Sequence, residues 1–366
     1  MANPRKSSTS PARATAPSAD QSARAQGRSF GRATQATVAE LAGVTTMTVS
    51  RFLRAPEQVA LETASKIRGA LERTGYTPNK HAGMLAGRRS SIVAVIVPSI
   101  ASATFSGTVQ AISDGLQSHD LELLLAATNY DSQREEQQIR AVLAWSPSAL
   151  VVTGRTRTPA ATTLLRQAQA SGLPVVQIWD FAARGSEFVQ IGFNHTRVGE
   201  LMARHLLSRG HQDLVYVDNS VPQDLRAHER GKAFARVVHK AQARVRVVAM
   251  PNGEPMAAGR AVLQRLQTDG LPRAMAFASD FPAAGAWLLA REAGIAVPEQ
   301  LALLGFGDYP IASQLGAGLS TVSIDRQSLG TLCAQQVLAM VYPGTCSPTN
   351  PEQLEIRPQI VERGSG

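Results

Sequence analysis

Beyond residue 91 the chain alternates short apolar runs with amphipathic stretches. Runs at 92–97, 121–126, 150–153, 175–178, 214–217, 245–249, 274–278 and 301–306 have strand length, and most are apolar throughout. Such a run belongs to a strand covered on both faces. Between them, stretches such as 134–145, 196–209 and 283–293 repeat apolar residues at helical spacing. The rhythm predicts parallel sheets with helices on both faces, and about eight strands make two doubly wound lobes. Ligands in such folds sit outside the carboxyl ends of strands, so a cleft between lobes is the expected site.

The first quarter of the chain reads differently. From 34 to 76 short helical patterns follow one another closely: 38–42, 45–53, and 62–74 with Ile67, Ala70 and Leu71 on one face. Before them, residues 1–32 are rich in Ser, Ala, Thr, Pro and Arg, with no periodicity and no side chain larger than Ala among the apolar residues between Pro4 and Arg28. That composition predicts a disordered basic tail, and it lacks the apolar stretch of a secretion signal, which points to the cytoplasm. The expected plan is a tail at 1–32, a helical domain at 33–78, a linker at 79–91 and a two-lobed core at 92–366.

Composition narrows the classes. A length of 366 residues exceeds one ordinary domain, and 44% hydrophobic residues allow a real core. No apolar run is long enough to span a bilayer. Cys333 and Cys346 are too few for a thiolate zinc cluster or a disulfide framework. The net charge of +9 lies wholly in residues 1–89, which hold 14 Lys and Arg against 5 Asp and Glu, while the rest holds 23 of each. A basic head on a neutral body is the footprint of a polyanion partner.

The sharpest local signal is Val38-Ala39-Glu40-Leu41-Ala42-Gly43-Val44-Thr45-Thr46-Met47-Thr48-Val49-Ser50-Arg51. Gly43 suits the left-handed end of one helix, Thr45 caps the next, and Val38, Ala42, Val44 and Val49 suit the small core of two crossed helices. This is a helix-turn-helix. Thr46 and Met47 fall on the first turn of the second helix, where base edges are read; Thr45, Thr48 and Ser50 offer hydroxyls to phosphates; Arg51 suits bidentate recognition of guanine.

These residues, with Gly75-Tyr76-Thr77-Pro78-Asn79, resemble the headpiece of the LacI/GalR (lac repressor) family. In the core, Leu207-Ser208-Arg209-Gly210-His211, Phe277-Ala278-Ser279-Asp280, Val297-Pro298 and Leu304-Gly305-Phe306-Gly307-Asp308 resemble the family's strand and helix junctions. The likeness runs from Thr34 onward. Within the family, residues 44–54 and 150–159 look most like the gluconate repressor branch. The resemblance implies an all-α headpiece joined to a periplasmic-binding-protein-like α/β core, acting as a homodimer or larger assembly on double-stranded operator DNA. It adds Thr34 to the DNA contacts and makes 79–87 a hinge helix carrying Asn79, Ala82, Leu85 and Ala86. Leu85 matches the family's wedging leucine, and the two alanines match small residues that let paired hinge helices approach. Two departures stand out: Gly83 replaces a bulkier residue, and Ala60 stands where the family has a capping Ser before the third helix.

For a ligand, matched positions suggest Phe105 as an aromatic wall, Arg230 as a carboxylate clamp, and Asp180 and Asp280 as acceptors for hydroxyls. Arg155 and Arg157 either supplement the clamp or belong to a solvated loop. Asp180 and Asp280 also suit caps, and Arg230 a surface helix position; Trp179 and Trp287 suit the core. A sugar acid fits this set. No P-loop, nucleophile elbow or metal-spaced cluster appears, so neither an enzyme, nor a cofactor, nor a metal is expected. The competing class, a solute-binding protein of the same core fold, would carry a secretion signal and no helix-turn-helix; a regulator of neutral sugars is the other alternative.

Overall fold

The computed structural model describes residues 33–77, 90–153, 157–181, 186–219, 221–344 and 354–366, so the hinge residues Asn79, Ala82, Leu85 and Ala86, and Arg155, lie outside them. The chain divides into two compact units, Met1–Gly83 and Met84–Gly366.

Among the described residues the first unit has three α-helices, α1 (Gln35–Ala42), α2 (Thr46–Arg54) and α3 (Leu61–Thr74), with a single 3-10 turn at Pro56–Gln58 between the last two. Thr34 caps α1 in a capping box with Thr37. Gly43 ends that helix at φ 66°, a left-handed conformation that a side chain would strain. Thr45 then caps α2 through the Thr48 amide at 3.2 Å. Val38, Ala39, Ala42, Val49, Phe52, Ala64, Ile67 and Ala70 form the core, with Val44 and Leu71 half-buried at its edge. Ala60 precedes α3 and contributes no side-chain cap.

The second unit has two parallel sheets. In the first lobe β1 (Ile92–Val97), β2 (Glu122–Ala127), β3 (Ala149–Val152), β4 (Val175–Ile178) and β5 (Val189–Ile191) lie in the order β2-β1-β3-β4-β5. In the second, β6 (Asp213–Asp218), β7 (Arg244–Ala249), β8 (Ala274–Phe277), β9 (Ala302–Phe306), β10 (Ser320–Ser323) and β11 (Gln359–Val361) lie in the order β11-β10-β9-β8-β6-β7. Among the described strands only β11 runs antiparallel to its neighbour, Thr321 facing Val361. The eight long apolar runs are strands, and β5, β10 and β11 are additional. These three are only three or four residues long and include Gln, Ser or Thr, so no apolar run marks them.

The chain crosses between lobes after β5, after β10 and before β11. The first and last crossings are tied together: the Gly192 amide donates to the Leu354 carbonyl at 3.1 Å, and the Ile356 amide donates to the Gly192 carbonyl at 2.6 Å. Strand order reverses at β1/β3 and at β6/β8, which aims the carboxyl ends of both sheets at one cleft. Four of the seven non-glycine residues with left-handed backbone among the described residues lie there: Asn129 (φ 53°), Tyr130 (61°), Trp179 (75°) and Asp308 (51°). Strain of this kind persists where surrounding structure over-determines it, and it concentrates at functional clefts.

Candidate functional site

In the first unit, α2 has an outward face. Thr46, Met47 and Arg51 are exposed, Met47 by 68%, while Val49 and Phe52 turn inward. Thr48 and Ser50 are half-buried. The Thr45 and Thr48 hydroxyls pair at 2.9 Å. One hydroxyl proton serves that pair, so the other remains for an outside acceptor such as a phosphate oxygen. Thr34 is exposed at the start of α1.

In the second unit the cleft is crossed by a chain of polar contacts. The helix Leu225–Lys240 (α8) carries Arg226 and Arg230 one turn apart. Arg226 belongs to the second lobe and reaches into the first. Its Nε donates to both Asp180 oxygens at 3.2 and 3.1 Å, and its Nη2 donates to Asp180 Oδ2 at 2.5 Å. Nη2 also donates to the Thr153 carbonyl. Burial alone would lower the Arg226 pKa, but the adjacent Asp180 carboxylate outweighs it and holds the guanidinium firmly charged.

Arg230 sits deeper. Its Nη1 lies 3.0 Å from His195 Nδ1, its Nη2 donates to the Ala278 carbonyl at 3.2 Å, and its guanidinium lies 4.1 Å above the centre of the Phe306 ring. Since arginine can only donate, His195 Nδ1 must accept, and the proton of neutral His195 then resides on Nε2. That nitrogen faces the Trp179 carbonyl at 3.1 Å and Asp180 Oδ1 at 3.5 Å. Gly199, on the helix His195–Ser208, makes this depth possible, because a Cβ there would collide with the Arg230 carbonyl.

The other expected ligand residues are also enclosed. Phe105 is buried and meets Trp179 edge-on at 5.2 Å; Trp179 in turn meets Phe193 at 5.7 Å. Asp280 is fully buried, accepting from the Tyr309 amide at 2.7 Å and the Thr321 hydroxyl at 2.5 Å. Burial pushes its carboxyl pKa up to about 6, against the opposing effect of those two donors. The cap reading fits its place at the first residue of the helix Asp280–Glu292 less well than a strut between that helix, Tyr309 and β10.

A cavity of about 730 Å³ opens between the lobes beside this network. Thr128, Asn129, Tyr130, Gln133, Glu135 and Thr153 line it from the first lobe, Gln223 and Arg226 from the second. Arg157 does not sit in a solvated loop: it is buried against Glu135, with Nε 3.1 Å from the carboxylate. Burial raises the Glu135 pKa and the Arg157 charge opposes that rise. Of the residues expected to grip a ligand, Asp180 and Arg230 join one network, while Phe105 and Asp280 lie apart from it and none of the four lines the cavity. Sequence reasoning passed over Arg226, His195 and Tyr130. Arg226 had a signal, since it stands one helical turn before Arg230 on the same face.

Comparison with known proteins agrees with both units. Residues 36–79 match the model of bacterial regulatory proteins of the lacI family, and 203–366 match a periplasmic binding protein-like domain. The HTH-type transcriptional regulator GntR of Pseudomonas aeruginosa is 37% identical over 317 residues, 86% of this chain and 91% of that one. The HTH-type transcriptional regulator IdnR of Escherichia coli is 28% identical over 83% of this chain and 90% of its own. Among solved structures, a LacI-family regulator from Silicibacter pomeroyi superposes with a TM-score of 0.83 at 29% identity, covering 91% of this chain and 99% of that one. The lac repressor dimer bound to operator shares the fold at a TM-score of 0.76 and 23% identity, over 91% and 99% of the two chains. A helix-turn-helix followed by two parallel-sheet lobes, with a relative this similar along nearly its whole length, makes the chain a member of the LacI family of transcriptional regulators.

Proposed function

We propose that this regulator is a cytoplasmic repressor that binds a near-palindromic operator as a homodimer and responds to gluconate or a related keto- or phospho-sugar acid. The observation that carries the DNA role is the exposed turn of Thr46, Met47 and Arg51 beside the Thr45–Thr48 hydroxyl pair, on a basic head. One headpiece reads only a short half-site, so two-fold symmetry in the protein calls for two-fold symmetry in the duplex. Thr34 and Ser50 join the phosphate contacts in this reading, and Asn79, Ala82, Leu85 and Ala86 form the minor-groove hinge. Resemblance to the gluconate repressor branch, and an inter-lobe cavity with an arginine on its wall, support the effector class. The test pairs a gel-shift titration on symmetric operator DNA with calorimetry against a panel of gluconate, ketogluconate, phosphogluconate and neutral sugars. A dimer footprint with affinity falling steeply with salt is expected. A monomer-sized, sequence-independent footprint overturns the operator reading, and binding of neutral sugars alone overturns the effector reading.

A further inference from the structure

We propose that Arg226, rather than Arg230, receives the effector's carboxylate, and that Asp180 is the positioning residue that aims it. This rests on the reading of the cleft as a sugar-acid site. Arg230 is unsuited on geometry: Nη1 and Nη2 are engaged by His195 and Ala278, the remaining nitrogen, Nε, is buried, its face is stacked on Phe306, and it is not on the cavity wall. Arg226 is on that wall. Its Nε and Nη2 hold Asp180 and the Thr153 carbonyl, and its Nη1 makes no hydrogen bond among the described residues. A guanidinium has five donor hydrogens in a plane, so fixing Nε and Nη2 on one carboxylate fixes the direction of the remaining pair. A second carboxylate arriving at Nη1 meets a donor already oriented, with no rotamer left to freeze.

The rest of the wall suits the rest of such a ligand. Thr128, Asn129, Tyr130, Gln133 and Gln223 offer side-chain donors and acceptors for a row of hydroxyls. The two wall acids are met locally: Asp131 accepts from the Gln133 and Arg134 amides at 2.7 and 2.9 Å, and Glu135 is held by Arg157. Because Arg226 also bridges to Asp180 and Thr153 in the other lobe, a ligand seated on it touches the contact that holds the lobes together.

The experiment measures, on the full-length dimer by calorimetry, the preference for an acid over its terminal-alcohol counterpart, using the tightest binder among gluconate, ketogluconate and phosphogluconate. Operator binding and circular dichroism verify folding. Because Arg226→Gln alone changes the net charge of the cleft, the informative variant is the neutral pair Asp180→Asn/Arg226→Gln, in which the acid preference is expected to fall about 10- to 100-fold. Asp180→Asn alone leaves Arg226 charged but takes away the carboxylate that orients it, and the acid preference should fall several-fold while affinity for the terminal-alcohol counterpart holds, a split that a purely structural role would not produce. Arg230→Gln should leave the ratio unchanged. An unchanged ratio in the neutral pair, or its loss in Arg230→Gln, overturns the assignment to Arg226 while the sugar-acid reading stands. Wild-type protein that binds no acid of the panel overturns both.

Discussion

The two candidate sites handle polar groups in opposite ways. On α2 the candidate groups stand in water: Thr46, Met47 and Arg51 are exposed, so a partner docking on them would displace only solvent and counterions. In the cleft, Asp180, Arg226, Arg230 and Asp280 are buried and held in mutual or backbone contacts. A ligand there must fit what an existing network leaves over. An exposed set of this kind suits long-range attraction, and a buried, pre-paired set suits discrimination at short range.

The sharpest way to break this contrast is to remove one charge from each region. Arg226→Ala removes the buried ion pair with Asp180 that crosses the cleft and should cost about 3–5 kcal/mol of core stability. Lys66→Ala, which removes the exposed Lys66–Glu62 pair of α3, should cause no measurable change. Denaturant unfolding followed through tryptophan fluorescence reads the first, and hydrogen exchange of α3 amides reads the second. Similar losses from both would show that the cleft network is not energetically special.

Asp280 sharpens the contrast through pH. Its carboxyl is raised to about 6 in the folded protein, from a reference of 3.8. The folded state thus holds the proton more tightly, so this group's stabilisation is complete below pH ~4 and is lost as pH rises through ~6. Asp280→Asn can keep both contacts, its carbonyl accepting from Tyr309 and its amide donating to Thr321. Relative to the variant, the wild-type core should therefore lose about 2–3 kcal/mol between pH 4 and pH 7. Parallel stability curves for the two proteins would mean that Asp280 is ionised like a surface carboxylate.

On the DNA side, Arg51→Ala should weaken binding to the best operator by about 1–3 kcal/mol and relax preference at one base pair per half-site. Equal losses on operator and random DNA would reduce Arg51 to a phosphate contact.

How much of this was legible in the sequence follows the same division. The headpiece is local: Gly43, Thr45 and the spacing of Val38, Ala42 and Val49 sit within a dozen residues, and the caps and core follow from them. The eight apolar strands were legible for the same reason, since continuous burial needs continuous apolar sequence. The cleft is not local. Asp180 and Arg226 are 46 residues apart, and His195 and Arg230 are 35 apart. Motif positions singled out Asp180 and Arg230 as candidates but not which arginine faces the cavity, because that depends on how deeply α8 docks against Gly199. Helical periodicity puts positions four apart on one face but leaves their depths open.

The smallest expected effect returns to the headpiece, where the start of α3 has no side-chain cap. Ala60 has an extended backbone, φ −54° and ψ 138°, of the kind an N-cap adopts, yet no side-chain oxygen there meets the first amides of the helix. A serine at this position keeps the backbone and supplies that oxygen. Ala60→Ser should therefore stabilise the headpiece by about 1 kcal/mol. Because Leu61 at the first position of α3 is 90% exposed, the change disturbs no packing. Native-state hydrogen exchange on the full chain gives the reading: α3 amides should slow while core amides keep their rates, since the substitution acts only in the first unit. Slowing in both units would mean that the two open together, and no slowing in α3 would mean that water already satisfies those amides as well as a hydroxyl does.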